Sequence, residues 1–533
     1  MASKSLFSFA GKARAADTLN EASGKAYAFS PEHALAQYAV TGTLHNTFYA
    51  SAENQLDKIL ELSDKVSPEL VAKTAVYCRE RGYMKDVPAL LVAYLAKRDV
   101  GLMARVFPRV IDNGKMLRNF VQIVRSGRIG RKSLGSAPKR AARTWFSSRT
   151  PESVFRGSIG AAPTMGDVIK LVRPSPASSD GTKDTAREAL YGYLVGKSVD
   201  HAALPAQIRD YEAFKAKALA GKLDPSTPLP DVPFEMLTAL DLSTEQWKSI
   251  ARTMSFTQVR MNLNTLLRKG VLADPDMVAF VANKLRDRAA ILKARAFPYQ
   301  PLAAYRAAGS DMPAAIRNAL QDALEVATEN VPEVPGTIFV CPDVSGSMQS
   351  PATGHRGSAT SAVRCVDIAG LVAASLMRRN PNAEVIPFSD DVVPMPRALN
   401  PRDSVMTNAQ YLASLPSGGT ACSAPLRALN ERGAKGDLVF YVSDNMSWSD
   451  YANGASSSTR GTAMAEEWEF FRARNPNAKL VLCDIQPYAH TQVAERADVL
   501  NVGGFSDAVF EIVSLFAKGE STRFVDTISR ITL

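Results

Sequence analysis

The sequence predicts a multidomain fold: an all-α array of helical repeats followed by an α/β domain built on a doubly wound parallel sheet. Three observations predict it. From about residue 30 to 330 the apolar residues recur at helical spacing, with no strand-like alternation between them. The segment Val331-Pro-Glu-Val-Pro-Gly336 then breaks the chain with two prolines and a glycine. Beyond it, short β-branched and apolar runs alternate with helices, the pattern of strands covered on both faces by crossover helices.

In the first region, Leu56–Leu62 and Glu69–Tyr77 both space apolar residues at i, i+3 and i+4. Asp86-Val-Pro88 offers an acidic N-cap with proline in the first turn. The same alternation continues through Asp274–Lys293 and Met312–Thr328. Many short helices without long loops suggest stacked pairs, each burying its apolar face on the next. In the second region, Thr337–Cys341, Ala383–Phe388, Asp437–Val442, Ala478–Asp484 and Asp498–Val502 are the expected strands. Ser361–Arg379 and Ser506–Lys518 are the expected long helices, the first ending in Arg378-Arg379 before the breaker Asn380-Pro381. The expected domains are therefore 1–335, 336–518, and a tail of 519–533 that packs back on the helical part.

At 46% hydrophobic and 22% charged residues, the composition is that of an ordinary globular protein. No apolar run reaches the length of a membrane span, and the N-terminus lacks a secretory apolar core. Cys78, Cys341, Cys365, Cys422 and Cys483 are scattered and odd in number, which points to reduced thiols in a cytoplasm rather than disulfides or zinc. The charge is unevenly placed. From Thr337 onward 17 Lys and Arg face 20 Asp and Glu, so the excess of +10 lies wholly in the first region. Residues 101–150 hold 12 basic residues and the single acid Asp112. Such a density attracts polyanions through counterion release, whereas a merely solvated face usually mixes both signs.

One stretch of the second region points to a metal. After the run Thr337-Ile-Phe-Val340, the sequence CPDVSGSMQS places Asp343, Ser345 and Ser347 alternately at a strand end. Ser417-Gly-Gly-Thr420 presents a hydroxyl just before a helix starting near Ser423-Ala-Pro425, and Val439–Asp444 ends another strand in a carboxylate. In a doubly wound sheet these loops share the carboxyl edge, where ligands bind. Few carboxylates with neutral hydroxyls suit a hard cation, Mg²⁺ first, with Mn²⁺ or Ca²⁺ as alternatives, and they leave one position open for a partner's oxygen. Asp-x-Ser-x-Ser, a distant Gly-Gly-Thr and a later Ser-Asp together resemble the metal-ion-dependent adhesion site (MIDAS) of von Willebrand factor A domains. The resemblance fills all five ligand positions: Asp343, Ser345, Ser347, Thr420 and Asp444. Asn445 departs from it, standing where many relatives have glycine.

Helical repeats followed by such a domain resemble the Ro autoantigen (TROVE-domain) family in its bacterial form. Tyr38–Tyr49 followed by Glu53-Asn-Gln is similar to the family's entry into its first repeat, and Gly135–Phe146 to its basic helix ending in Trp-Tyr. Pro163–Pro174 and Met261–Gly270 (MNLNTLLRKG) resemble two further signatures. The resemblance implies HEAT-like repeats closed into a ring, with small noncoding Y RNA on a basic outer face and single-stranded 3′ ends of misfolded or structured RNA in a central hole. It implies a monomer in the cytoplasm, away from membranes, acting in RNA quality control and the stress response as a scaffold for an exoribonuclease such as polynucleotide phosphorylase. By position Arg156, Lys170 and Arg173 match the outer RNA surface, and Lys139 and Arg140 match paired basics beside the tryptophan helix. Arg173 stands where the family has histidine, and Ser136 where it has arginine.

Arg118, Arg125, Arg128, Arg131, Lys132, Lys139, Arg140 and Arg143 complete the candidate RNA-contacting set, with Ser126–Pro138 expected as a mobile loop suited to phosphate contact. Lys170 and Arg173, three apart on one helix, also fit a plain solvated face, and Trp145 fits a core anchor better than a stacking platform. Two functions therefore compete: an RNA-binding scaffold, and a metal-dependent protein-adhesion module whose helices only support it. A metal-dependent hydrolase is disfavoured, since no histidine or glutamate accompanies the five ligands in sequence and one open site lacks a two-metal clamp. No catalytic residue is assigned.

Overall fold

The structure, a computed structural model, describes residues 13–42, 44, 51–160, 162–177, 181–331, 333–352, 363–452, 461–486, 488–504, 507–519 and 523–533. Contacts divide it into two compact units. One runs to Val66 and resumes at Ala282–Ile531; the other is Ser67–Val281 with Thr532–Leu533. This division differs from the expected domains.

The first unit is organised by a five-stranded parallel sheet. In chain order its eight strands are β1 (Thr18–Leu19), β2 (Lys25–Ala28), β3 (Ile338–Pro342), β4 (Glu384–Val385), β5 (Leu438–Ser443), β6 (Lys479–Asp484), β7 (His490–Thr491) and β8 (Val499–Gly503). The main sheet has the order β4-β3-β5-β6-β8, and a small antiparallel sheet joins β1, β2 and β7. Every residue of β3, β5 and β8 is buried, as strands covered on both faces must be. On one face Phe339, Val439, Tyr441, Leu480 and Leu482 pack with Trp468 and Phe471 of the helix Ala463–Arg474. The Trp468 indole is stacked on Phe471, and its Nε1–H donates to Asp498 Oδ2 at 2.9 Å.

The expected strands form, although the Ala383–Phe388 run yields only the two residues of β4 as regular strand. The expected helix over Ser361–Arg379 is Cys365–Arg379 among the described residues. Its first turn is held by Asp367, buried and ion-paired with both Arg364 and Arg306. The shift in the domain boundary has a packing cause. Leu302 and Leu324, from helices Tyr299–Ala307 and Ala314–Ala327, share a core with Leu371, Ala374, Val405 and Met406 of the sheet domain. These helices precede the proline linker yet belong to the sheet's unit. The N-terminal segment belongs there as well, because β2 pairs antiparallel with β7. The tail helix Phe524–Ser529 packs on α1 (Pro31–Thr41) and β8, with the buried Phe524 ring edge-on to His33 at 6.0 Å.

The second unit is a stack of helices including Pro68–Glu80, Asp86–Arg98, Val100–Val110, Gly114–Arg125, Ser136–Ser147, Met165–Val172 and Thr185–Leu194. Pro68–Glu80, Asp86–Arg98 and Val100–Val110 pack on one another, Gly114–Arg125 returns to Asp86–Arg98 and Ser136–Ser147 to Val100–Val110, so apolar stripes are buried between layers. Asp86 is the first helical residue rather than the N-cap, which is Lys85; its carboxylate accepts from Asn119 Nδ2 at 3.1 Å instead. Among the described residues no helix is long and apolar enough to cross a membrane.

Candidate metal centre and cationic face

The parallel register sets Pro342 of β3 against Val442 of β5, so Asp343 and Asp444 leave adjacent strand ends. The chain goes from β3 to β4 on one side and returns to β5 on the other, which makes this edge the topological switch point. Asp343 is fully buried; its Oδ1 accepts from the Ser345 amide at 2.8 Å and its Oδ2 from the Ser443 hydroxyl at 2.5 Å. Ser345 and Ser347 bring their hydroxyl oxygens to 3.3 Å. The loop carrying Thr420 is fastened to both neighbours. The Gly346 amide donates to Gly418 O at 3.0 Å, and the amides of Trp448 and Ser449 both donate to Thr420 O at 3.0 Å. Below them the buried Asp450 accepts from the Ser423 and Ser447 hydroxyls at 2.5 and 2.7 Å, which ties the two loops at their bases.

All five sequence-predicted ligands are thus buried at one sheet edge. Asp444 Oδ1 accepts from the Met446 amide at 3.2 Å, while its Oδ2 is buried with no hydrogen-bond partner among the described residues. Burial, and then the charge of Asp444, push the Asp343 carboxyl up to about 7. Burial raises Asp444 too, against the nearby Ser347 hydroxyl. Neither carboxylate forms an ion pair with a described cationic side chain. Two desolvated carboxylates, an orphaned oxygen and three hydroxyls fit a divalent cation, which would supply the missing positive charge. Among the described residues no cluster of three or more His, Cys, Asp and Glu exists, so the donor set is hydroxyl-rich and suits a hard ion.

Sequence reasoning gave no role to three residues behind the ligands: Ser443, Asn445 and Asp484. Asp484 closes an apolar run as Asp444 does, a signal that could have found it. His490 acts electrostatically on Asp444, but its Nε2 is engaged by Glu21 Oε2 at 2.5 Å.

In the second unit, three helices gather basic residues. Helix Gly114–Arg125 and helix Ser136–Ser147 both pack against helix Met165–Val172. Arg125 and Lys170 line a cavity of about 600 Å³. Lys170 and Arg173 line a second of about 640 Å³, with Lys197 and Tyr191. Arg125, Lys132, Arg140, Lys170 and Arg173 are exposed and Lys139 is half-buried; none of the six makes an ion pair with a described acidic residue. Arg128 is also exposed. Arg173 sits in the left-handed region at φ 49, ending its helix.

The structure places the other predicted contacts differently. Arg118 is buried: its guanidinium lies against Gly160 and donates to Ser158 O at 3.3 Å, so it is a packing residue. Arg131 donates to the carbonyls of Ala96, Ser133 and Leu134, which pins Ser126–Pro138, with Ile129 and Leu134 buried; this segment is a fastened turn rather than the mobile loop expected. Arg156 is paired with Asp231 at 2.6 Å, and the exposed Arg143 directs its Nε to Val172 O at 2.5 Å. Trp145 is a core anchor, buried under Arg149 at 4.0 Å. Part of the Tyr38–Tyr49 motif, residues 43 and 45–49, lies outside the described residues.

A sheet of this order carrying this ligand edge, attached to stacked helices, defines a von Willebrand factor A protein with a helical-repeat partner. Residues 337–517 match the family described as the Ro60 vWA domain. The RNA-binding protein RO60 of Deinococcus radiodurans is 27% identical over 94% of this chain and 95% of its own. The crystal structure of the Deinococcus radiodurans RO (RSR) protein shares the fold, with a TM-score of 0.64 at 22% identity over 92% of this chain and 100% of that one. The resemblance to the Ro family drawn from short motifs therefore extends over nearly the whole sequence.

Proposed function

We propose that this chain binds RNA as a Ro-type protein and works as a scaffold rather than as a catalyst. The observation that carries the reading is the group of basic residues gathered around three packed helices, exposed or half-buried and forming no ion pair with a described acid, which outnumber Asp167 and Glu188 on the same cavities. Surfaces with such a cationic excess bind phosphate backbones with little regard to sequence. The Deinococcus relative, named as RNA-binding and similar end to end, supports the same reading. Y-type noncoding RNA on this face and 3′ single-stranded ends of misfolded RNA are the ligands proposed, with RNA quality control in the cytoplasm as the setting.

Filter binding of a structured small RNA tests this directly. The logarithm of affinity is expected to fall steeply against the logarithm of salt, with a slope near −3 to −5 for about five phosphate contacts. A flat slope would sink the reading.

The orphaned Asp444 Oδ2 supports a second, compatible role for the other unit: a Mg²⁺-loaded adhesion site whose open position takes a carboxylate from a protein partner, such as an exoribonuclease. When bound, the metal supplies a Lewis-acidic docking point. Asp343 and Asp444 would hold its charge, and Ser345, Ser347 and Thr420 would complete its protein shell. Pull-down of protein partners with and without EDTA checks this. The expected result is EDTA-sensitive capture that Asp343→Ala abolishes, with RNA affinity unchanged.

A further inference from the structure

Behind the candidate metal ligands runs a line of buried polar side chains that the ligand set does not use. Asn445, immediately after Asp444, holds a left-handed backbone at φ 57. Its amide N–H donates to the Ser443 hydroxyl at 2.9 Å, and that hydroxyl donates to Asp343 Oδ2 at 2.5 Å. Its side-chain Nδ2 donates to Asp484 Oδ1. The other oxygen of Asp484 accepts from Gln37 Nε2 of helix α1 at 3.0 Å. Gln492 Nε2 closes on the Asn445 carbonyl at 3.1 Å. Gln37, Asp484, Asn445, Ser443 and Asp343 are all between 0% and 2% exposed, so water does not substitute for any of these bonds.

The local geometry fits this line. Gly503, paired with Asp484 in the sheet, lies where a Cβ would stand 2.3 Å from Gln37 Oε1, so only glycine admits the glutamine. Asp484 forms no ion pair with a described cation; its donors are two neutral amides. Losing either leaves a buried carboxylate half satisfied, which is strongly unfavourable in a dry interior. Asn445 is also the one position where the ligand motif departs from glycine. Asparagine is among the few residues that tolerate left-handed backbone, so the turn keeps its shape and gains an amide that reaches Asp484.

We propose that Asn445 and Asp484 are positioning residues of the metal site, and that helix α1 holds them through Gln37, so that metal binding and the seating of this helix strengthen each other. The inference rests on the metal reading above. The Nδ2 bond to Asp484 anchors the Asn445 backbone, and that backbone orients both ligand carboxylates: Asp444 through the shared turn, Asp343 through the N–H to Ser443. Outer-shell partners of this kind change metal affinity by about 10–100-fold. Because coupling is reciprocal, whatever loosens α1 weakens the metal, and the metal quiets α1.

The test uses the full chain, with Mg²⁺ and Mn²⁺ titrated calorimetrically into the chelator-stripped protein. Asn445→Gly keeps the left-handed turn and removes only the amide; Gln37→Leu removes the donor from α1. Each is expected to weaken Mg²⁺ about tenfold or more. In the parent, metal is expected to slow hydrogen exchange of the amides of residues 35–41, and in Asn445→Gly this slowing disappears. Should Gln37→Leu fail to fold, Asn445→Gly alone decides. Parental affinity in Asn445→Gly, or α1 exchange indifferent to metal, overturns the relay while leaving the metal site standing. A parent chain that binds neither ion overturns the metal site, and the relay with it.

Discussion

Asp444→Asn is expected to abolish Mg²⁺ binding while making the metal-free chain more stable. Asp444 is fully buried, lies beside a second buried carboxylate and leaves Oδ2 with no hydrogen-bond partner among the described residues. Burial raises its pKa, which means the folded state disfavours its charge. Asparagine preserves shape and the Oδ1 acceptor for the Met446 amide but carries no charge to repel Asp343. Relief of that repulsion and desolvation is worth about 1–3 kcal/mol, the scale of one unsatisfied buried group. Mg²⁺ affinity should drop by at least about 100-fold, beyond the range of outer-shell losses. Calorimetric titration and thermal melts in EDTA measure the two effects. A variant less stable than the parent in EDTA would mean that Asp444 is structural and not a ligand held ready.

The second large effect concerns the cationic face. Converting Arg125, Arg140, Lys170 and Arg173 together to alanine should lower RNA affinity near 0.1 M salt by roughly 10²–10³-fold and reduce the salt slope by about 3. All four are exposed and form no ion pair with a described acid, so the folded unit should tolerate their loss. Arg118→Ala is the contrast. Its guanidinium is buried against Gly160 and Ser158, so about 1–3 kcal/mol of stability should go while the salt slope stays. An unchanged slope in the fourfold variant would place RNA elsewhere on the molecule.

The candidate ligand edge was legible because each of its residues sits at a fixed offset from an apolar run, and strand ends of one parallel sheet necessarily share an edge. Asp343, Ser345, Ser347, Thr420 and Asp444 therefore assembled from spacing alone. The network behind them was not legible. Gln37 lies 447 residues from Asp484, and no local pattern announces that an N-terminal helix reaches a strand end so distant. The basic segment showed the opposite weakness. Its composition was plain, but charge density does not say which guanidinium faces water. Arg118 and Arg131 look like Arg125 in sequence, yet one fills a gap beside a glycine and the other gathers three carbonyls. The compact units cross the expected boundary for a similar reason: the proline linker at 331–336 marks a change in periodicity, whereas compactness follows Leu302 and Leu324 into the sheet's core.

The pairing of β2 with β7, and of Gln37 with Asp484, has a consequence for synthesis. The N-terminal partners leave the ribosome first and must wait for strands made more than 400 residues later. At about 5–20 residues per second that interval is roughly 20–90 s. During it, helix α1 has no sheet to lie on, and its apolar face is open to chaperones or to premature collapse on the helices translated next. Completion of the candidate ligand edge is therefore a late, post-translational event, timed by the slowest-arriving strand rather than by the sheet domain's own folding.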